Sequence, residues 1–350
     1  MFFYFEEPLR WKKVEYSRSQ IIKAGKTVKK ADVPVENILN AIDIIDNWRA
    51  AHAYPLHVMY MHLRRMANNR SDIIVAERLK RLESIIMKLR REPNMSLWMM
   101  QDLGGCRFIV PTIEEVYCFA RKYQNSRIRH KLVSEYDYIN NPKVSGYRSL
   151  HLVYEYHSDK QADYNRNMLI ELQFRTHLQH LWATAVETMG LFTKQSLKSG
   201  QGDEDIKRFF VLVSSLFALR EGMPVVPGTL ADEKELISEL EEIDDRRHFV
   251  EKLDAMNVIV EYDKADKLKK QGYVLLVLNY STHRLRVVPF LPSQYDQANE
   301  LYSEIEATSA ETNSDAVLVR VSSYKSLKSA YPNYFSDIGE FVNILKSYFT

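Results

Sequence analysis

The sequence contains very little cysteine, and this scarcity excludes two kinds of architecture. Only Cys106 and Cys118 occur among its 350 residues. Disulfide frameworks and cysteine-based zinc sites both need larger, regularly spaced sets of cysteines. We therefore expect neither of them, and the reducing cytosol is the natural compartment for such a chain.

Long apolar runs are missing as well. No stretch approaches the roughly 18 apolar residues that a membrane-spanning helix needs. The N-terminal sequence MFFYFEEPLRW has early acids and no basic flank, unlike a secretory signal. The sequence therefore predicts a cytoplasmic protein with no membrane partner. It also contains no internal repeat and no low-complexity tract.

The composition that remains is that of a globular protein, with 45% hydrophobic and 27% charged residues. The net charge of +2 hides an uneven distribution. Residues 1–200 carry 31 Lys and Arg against 21 Asp and Glu, whereas residues 201–350 carry 17 against 25. A basic first half suits a polyanionic substrate, and an acidic second half could dock against it. Two solvated surfaces that do not contact each other would give the same numbers of charged residues.

Hydrophobic periodicity predicts an α+β chain in two parts. Helical spacing of apolar residues predicts helices at 16–30, 34–50, 56–67, 73–91, 112–124 and 176–191. Alternating or β-rich runs predict strands at 104–110, 130–136, 147–157 and 167–174. Loop composition at 192–204 separates residues 1–200 from residues 201–350. The second part is predicted to hold strands at 272–280, 284–291 and 315–322, and helices at 205–222, 231–255, 294–308 and 336–349.

The segment RLKRLESIIMK concentrates cations with a regular spacing. On a helix, Lys80, Ser84 and Lys88 would share one face, and Arg78 lies two residues before Lys80. Aligned lysines repel each other unless an anion lies along them, and a nucleoside triphosphate is such an anion. A solvated basic helix is the simpler interpretation of this segment taken alone.

Two acidic positions are candidate metal ligands. Asp102 precedes the strand DLGGCRFIV, in which glycines allow a phosphate to approach the backbone. Glu171, Gln173 and Arg175 alternate along the strand NMLIELQFR, so all three should point to one face of the sheet. If the strands of Asp102 and Glu171 are neighbours, the two carboxylates would form a Mg²⁺ site that also binds substrate phosphates. An ordinary loop aspartate and a structural ion pair remain the alternatives.

The segment GYRSLH places an aromatic ring, a guanidinium and an imidazole at the start of a strand. Tyr147 could stack on a base, and Arg148 and His151 could reach a phosphate. Tyr147 could equally be an aromatic residue that packs between strands.

Taken together, these motifs resemble the synthetase domain of the RelA/SpoT family. The series R-x-K-x-x-x-S-I-x-x-K, D-L-x-G-x-R, D-Y-I-x-x-P-K-x-x-G-Y-R-S-L-H and E-x-Q-x-R occurs in this order within residues 40–195. The resemblance implies a mixed sheet with flanking helices, related to nucleotidyltransferases. It also implies transfer of the β,γ-pyrophosphate of ATP to a ribose 3′-hydroxyl.

The resemblance implies roles for individual residues. On the ATP side, phosphates would be held by Arg78, Lys80, Lys88 and Arg107. Mg²⁺ would bind Asp102 and Glu171, and Glu171 would also take the hydroxyl proton. On the acceptor side, the base and phosphates would be bound or oriented by Tyr147, Arg148, His151, Gln173 and Arg175.

Three positions depart from the family pattern. Tyr136 replaces a Lys or Arg before D-Y-I, and Ser145 replaces an Asn before G-Y. Thr188 follows Glu187 where the family usually has His. The first two changes lie beside the expected acceptor site, so they weaken the case for free GDP or GTP as acceptor and leave the ATP side intact.

The second half contains the segment AYPNYF, in which Pro332 fixes a turn between Tyr331 and Tyr334. Domain order and this Y-x-x-Y element resemble the fused toxin–antitoxin, CapRel-like branch of the family. That branch implies a C-terminal antitoxin-like domain whose tyrosines occlude the ATP site. It also implies a tRNA acceptor and a phage protein that binds residues 260–350 to relieve inhibition. Both rings could instead pack in the core of the small domain.

Three functions remain open from the sequence. The first is a self-inhibited enzyme that pyrophosphorylates the 3′ end of tRNA. The second is a synthetase that makes guanosine tetraphosphate or pentaphosphate from GDP or GTP. The third is a nucleotide-binding or RNA-binding module without catalysis, which the intact Asp102 and Glu171 argue against.

Overall fold

The computed structural model describes residues 11–193, 203–254, 259–262, 272–279, 282, 284–308, 314–321 and 338–349. The strands of these residues are β1 (Ile74–Leu79), β2 (Gly104–Val110), β3 (Lys131–Asp137), β4 (Leu150–Glu155), β5 (Leu169–Thr176), β6 (Ile259–Tyr262), β7 (Gly272–Asn279), β8 (Arg284–Phe290) and β9 (Ser314–Val321). The first six helices are α1 (Arg18–Thr27), α2 (Val35–Ala51), α3 (Ala53–Ala67), α4 (Leu82–Arg91), α5 (Ile113–Gln124) and α6 (His177–Thr193). The others are α7 (Glu204–Arg220), α8 (Glu233–Arg247), α9 (Phe249–Asp254), α10 (Tyr295–Ala307) and α11 (Gly339–Lys346).

Within the described residues, all the strands join one sheet in the order β3-β4-β5-β2-β1-β9-β7-β8-β6. The pair β2–β5 is parallel, and its neighbours β1 and β4 run antiparallel to it. The prediction of a mixed, helix-flanked α+β fold is therefore confirmed. The last strands do not form a separate sheet, because β9 pairs with β1 and extends the sheet of the first half.

The predicted helix over residues 73–91 is wrong in its first half. Residues 74–79 form β1, and α4 begins only at Leu82. The short apolar run IIVA fits a strand and a buried helix equally well by periodicity, and pairing with β2 decides between them. Lys80 consequently lies between a strand and a helix, so Lys80, Ser84 and Lys88 do not share one helical face.

The other predicted helix and strand boundaries differ less from those in the structure. Ser17 caps α1 with a capping box to Gln20. The predicted acidic helix 231–255 is two helices, α8 and α9, because His248 adopts a left-handed backbone conformation with φ of 53°. None of the helices in the described part of the chain is both long and apolar enough to cross a membrane.

Two hydrophobic cores lie on the elements that build the site. The larger core packs α1 to α5 against the sheet, with Phe108, Leu172 and Phe174 fully buried in it. The second core joins α6 to α7, α8, α9 and α11 through residues such as Trp182 and Phe210. Because α6 belongs to both the first half of the chain and the second core, the packing does not divide at residue 200.

Candidate active site

The face of the sheet opposite the larger core carries the polar residues of β5. Glu171 and Arg175 are 9% and 3% exposed, and Gln173 lies between them on the same face. Leu172 and Phe174 point the other way, into the core. The alternation predicted along this strand is therefore observed. Burying two charged groups on one face requires partners or a ligand.

This face forms one wall of a cleft of about 270 Å³. The cleft contains most of the residues that the sequence singles out, and its lining is Arg78, Lys80, Asp102, Gly105, Arg107, Tyr147, Glu171, Gln173, Arg175 and Glu187. Strand register explains the gathering, since Gly105 pairs with Arg78 on one side and with Glu171 on the other. Parallel pairing of β2 with β5 makes Glu171 and the strand that follows Asp102 neighbours, which is the condition for the two carboxylates to form one site.

Asp102 is held by two ammonium groups. Its Oδ2 lies 2.9 Å from Nζ of Lys80, and its Oδ1 lies 3.0 Å from Nζ of Lys88. Burial would raise the pKa of Asp102, but the two lysines hold it below its ordinary value. Burial in turn lowers the pKa of Lys80, although Asp102 opposes this shift. A bound anion could replace Asp102 as the partner of the two lysines, and a bound cation could replace the lysines as the partner of Asp102.

Glu171 is the centre of a hydrogen-bonded chain. His151 Nδ1 donates to its Oε1 at 2.8 Å, and Gln173 Nε2 donates to its Oε2 at 2.6 Å. The Tyr147 hydroxyl lies 2.9 Å from Nε2 of His151. Burial would raise the pKa of Glu171, but His151 and Gln173 lower it below its ordinary value, so the carboxylate is ionised at neutral pH.

The donor set of the cleft fits a hard divalent cation. Asp102 and Glu171 face the same space and interact electrostatically, since the charge of Asp102 acts on the pKa of Glu171. Mg²⁺ commonly binds one or two carboxylates and completes its shell with waters and substrate phosphates. Among the described residues, no group of three or more His, Cys, Asp and Glu side chains could hold a metal ion alone. The cleft therefore suits a metal that arrives with a phosphate ligand.

The arginine side of the cleft suits an anion. Arg175 is 3% exposed, and its Nε has no hydrogen-bond partner within the described part of the chain. Burial and the neighbouring charge of Arg107 lower the pKa of Arg175 to about 10. Two guanidinium groups that repel each other in a buried cleft are stabilised when a phosphate binds between them.

Two predicted contacts are corrected. Arg148 does not line the cleft, because its guanidinium donates to Ser214 Oγ at 3.1 Å and to the carbonyls of Ile139 and Pro224 at 2.9 and 2.6 Å. Ser84 lies in the first turn of α4 and does not line the cleft either. Lys88, in contrast, reaches the site through Asp102.

The loop that carries Tyr147 is fixed from outside by α6 and α7. Gly146 has a φ of +88°, and a Cβ atom there would lie 2.9 Å from the Trp182 ring and 3.0 Å from Ser214 Cβ. The Ser214 hydroxyl donates to the Gly146 carbonyl at 2.6 Å and accepts from Arg148. The glycine and arginine of G-Y-R-S-L-H are therefore structural, and they set the position of Tyr147.

Sequence reasoning assigned no role to Glu187, which lines the cleft, or to Tyr138 and Lys143, which lie near Tyr147. Tyr138 and Lys143 lie within the motif D-Y-I-x-x-P-K, so this motif could have identified both as candidate site residues. Glu187 lies on α6, and only the packing of that helix brings it to the cleft.

A mixed sheet with paired carboxylates among cations defines a site able to support metal-assisted phosphoryl transfer. Residues 77–195 match the family described as a region found in RelA / SpoT proteins. This segment, about a third of the chain, is therefore similar to that family.

Two curated proteins and a solved structure are similar to parts of this chain. The chain is 33% identical over 112 residues to GTP pyrophosphokinase YjbM and 32% identical over 117 residues to GTP pyrophosphokinase YwaC, both of Bacillus subtilis (strain 168). Each match covers 31% of this chain and 52% of the relative, so the chain spans about half the length of these curated relatives. Small alarmone synthetase 1 from Bacillus subtilis, bound to its product pppGpp, superposes with a TM-score of 0.41 at 25% identity, over 57% of this chain and 95% of that structure.

Proposed function

We propose that this chain transfers pyrophosphate from ATP to a ribose hydroxyl of a nucleotide acceptor, with Mg²⁺. The observation that carries the proposal is the cleft itself, in which Asp102 and Glu171 lie among Lys80, Arg107 and Arg175. The two Bacillus subtilis relatives, each named a GTP pyrophosphokinase, support the same class of reaction.

The residues in and beside the cleft have three proposed roles, which are phosphate binding, metal binding and proton acceptance. Arg78, Lys80, Lys88 and Arg107 would bind the ATP phosphates and neutralise the charge that spreads during transfer. Asp102 and Glu171 would hold Mg²⁺, which when bound would supply Lewis-acid stabilisation of the phosphoryl oxygens. Glu171, oriented by His151, would accept the proton of the attacking hydroxyl.

The acceptor is the finer part of the proposal. We propose the 3′-terminal ribose of tRNA, so that the reaction inhibits translation in the cytoplasm. The basic first half and the changes at Tyr136 and Ser145 support it. The alternative acceptor is GDP or GTP, which would give guanosine tetraphosphate or pentaphosphate, and the names of the curated relatives favour it.

One labelling experiment separates these functions. The full chain is incubated with Mg²⁺ and γ-labelled ATP, together with GDP, GTP or deacylated tRNA, and the labelled product is identified. Label on tRNA alone supports the proposed acceptor, and label on guanosine nucleotides supports the alternative. Failure of both the full chain and an Arg320→Ala variant, which should undock β9 from β1, to label any of these acceptors, with ATP still bound, would support a non-catalytic nucleotide-binding module.

Residues 201–350 are proposed to be a regulatory, antitoxin-like unit. β9 pairs with β1 at Glu77 and Arg78, so the second half contacts the strand that carries a proposed ATP-binding residue. Tyr331 and Tyr334, proposed to occlude the ATP site, lie outside the described residues. We propose that a phage protein that binds residues 260–350 in the open state relieves this inhibition.

The contacts of Ser214 lead to a prediction about the acceptor. Ser214→Ala should raise the acceptor KM about tenfold and leave the ATP KM unchanged, because two buried hydrogen bonds worth roughly 1 kcal/mol or more each hold the Tyr147 loop. Steady-state kinetics with each substrate varied in turn measure both constants.

Ser215→Ala is the matched control for this variant. Ser215 is equally buried, but its hydroxyl contacts Thr229 and the Val226 amide instead of the loop. Equal effects of the two substitutions on the acceptor KM would mean that α7 acts only through general stability.

A further inference from the structure

A single row of side chains crosses the sheet from the ATP side to its edge. Arg107 on β2 pairs with Gln173 on β5, Gln173 pairs with His151 on β4, and His151 pairs with Tyr136 on β3. Residues directly opposite each other share a face, so all four point toward the same side of the sheet. Because β3 is an edge strand in the described sheet, Tyr136 marks the outer end of this row.

Aromatic rings gather at the outer end of the row. The Tyr138 ring packs edge-on against His151 at 5.3 Å and against Tyr147 at 6.2 Å, measured between ring centroids. The Tyr136 ring is parallel to Tyr138 within 1°, with centroids 5.9 Å apart. All three tyrosines are only partly buried. The ring proposed to hold the acceptor base is therefore the first of three that lead outward to the edge strand.

A cation completes the cluster. Nζ of Lys143, an exposed residue, lies 4.3 Å from the ring centroid of Tyr138 and 5.4 Å from that of Tyr147. Rings that offer π-faces, with a positive charge to follow the backbone, are the features of surfaces that bind single-stranded nucleic acid. A mononucleotide on Tyr147 would leave the outer two rings without a function in binding.

We propose that Tyr136, Tyr138 and Lys143 form a second nucleotide subsite, which binds the nucleotide preceding the one on Tyr147. The acceptor is then the single-stranded 3′ end of an RNA. This inference rests on the proposed function only in placing the reacting nucleotide on Tyr147. Tyr136 is also the position at which the sequence departs from the Lys or Arg usual in the family.

The length of the acceptor tests the subsite directly. RNA oligomers of one, two and three nucleotides, each ending in a 3′ adenosine, are titrated into the full chain with Mg²⁺ and a non-hydrolysable ATP analogue. Stacking of one further base should lower the Kd about tenfold between one and two nucleotides. A Kd that does not change with length would overturn the proposal, without the need for any variant.

Substitutions at Tyr136 test whether its aromatic ring causes the tenfold gain in affinity. Tyr136→Leu should remove most of the tenfold gain and change the mononucleotide Kd by no more than about twofold, because the terminal base stays on Tyr147. Tyr136→Phe keeps the ring, loses the 3.3 Å hydroxyl contact with Gln101 and should preserve the gain. A Leu variant that keeps the full gain, with a normal thermal melting curve, would contradict the subsite.

Labelling by γ-labelled ATP on the same variants separates the two proposals. Length-dependent binding without any transfer, also when Arg320→Ala is added to undock β9 from β1, would leave the subsite intact and refute the proposed reaction. Transfer to GDP as readily as to the oligomers, with no dependence of the Kd on length, would refute the subsite and leave the reaction intact.

Discussion

Glu171→Gln is expected to lower the rate of pyrophosphate transfer by roughly 10²- to 10⁴-fold, the range for loss of a general base. The substitution changes the volume little but removes a negative charge from the proposed Mg²⁺ site. It also converts an acceptor of two hydrogen bonds, from His151 and Gln173, into a group that can accept only one of them well. ATP binding should persist, because the phosphate-binding cations are unchanged.

The loss is measured as the single-turnover rate of label transfer, with ATP affinity measured separately. Glu155→Gln is the matched control, since Glu155 ends β4 on the same sheet and lies outside the cleft. Near-normal transfer by the Glu171 variant would remove Glu171 from the reaction. A parallel loss with Glu155→Gln would point to a general effect of charge on the sheet.

The low pKa of Glu171 also limits what this residue contributes. A carboxylate with a pKa below its ordinary value is ionised at neutral pH but is a weak proton acceptor. Phosphoryl transfer through a loose transition state needs positioning and charge neutralisation more than strong base catalysis. The hydrogen bonds from His151 and Gln173 therefore suit a group that orients a hydroxyl and a metal ion, and most of the catalysis would come from the surrounding cations.

The parts of the site that lie on β5 could be predicted because a strand imposes period two on its side chains. Glu171, Gln173 and Arg175 share a face for that reason alone. Arg148 was misassigned because residues 147–149 precede β4 and follow the positive φ of Gly146, so no pleat fixes their direction. Two of its three partners, Ser214 on α7 and Pro224 just after it, are 66 and 76 residues away, and local sequence carries no signal for such contacts.

The continuation of the sheet through β9 was equally unpredictable. Residues 315–322 were predicted to form a strand, and β9 covers 314–321, but strand pairing between residues 78 and 319 depends on tertiary packing.

A buried group of side chains accompanies the pairing of β9 with β1. Arg320 is 6% exposed, and its Nη1 lies 3.1 Å from Nδ1 of His57 and 3.3 Å from the Tyr273 hydroxyl. Glu77, directly opposite on β1, is 5% exposed. The second half is thus docked by buried charges as well as by backbone pairing.

Arg320→Ala is therefore expected to release the proposed inhibition and to raise the transfer rate at least tenfold. Loss of one partner from a buried set of charges costs about 3–5 kcal/mol. At roughly 1.4 kcal/mol per factor of ten, this shifts the balance between docked and undocked states by about two to four powers of ten. Damage to the site through β1 would lower the rate, so the direction of the change distinguishes release from damage.

Growth of bacteria that express the variant gives a second measurement of the same effect. Arg320→Ala should be toxic, and the added substitution Glu171→Gln should restore growth, because toxicity depends on transfer. Arg286→Ala is the matched control, since Arg286 is an exposed arginine on β8, a strand that pairs with β6 and β7 in the described sheet. An Arg320 variant that is less stable but no more active than the native chain would show that β9 completes the sheet without restraining the enzyme.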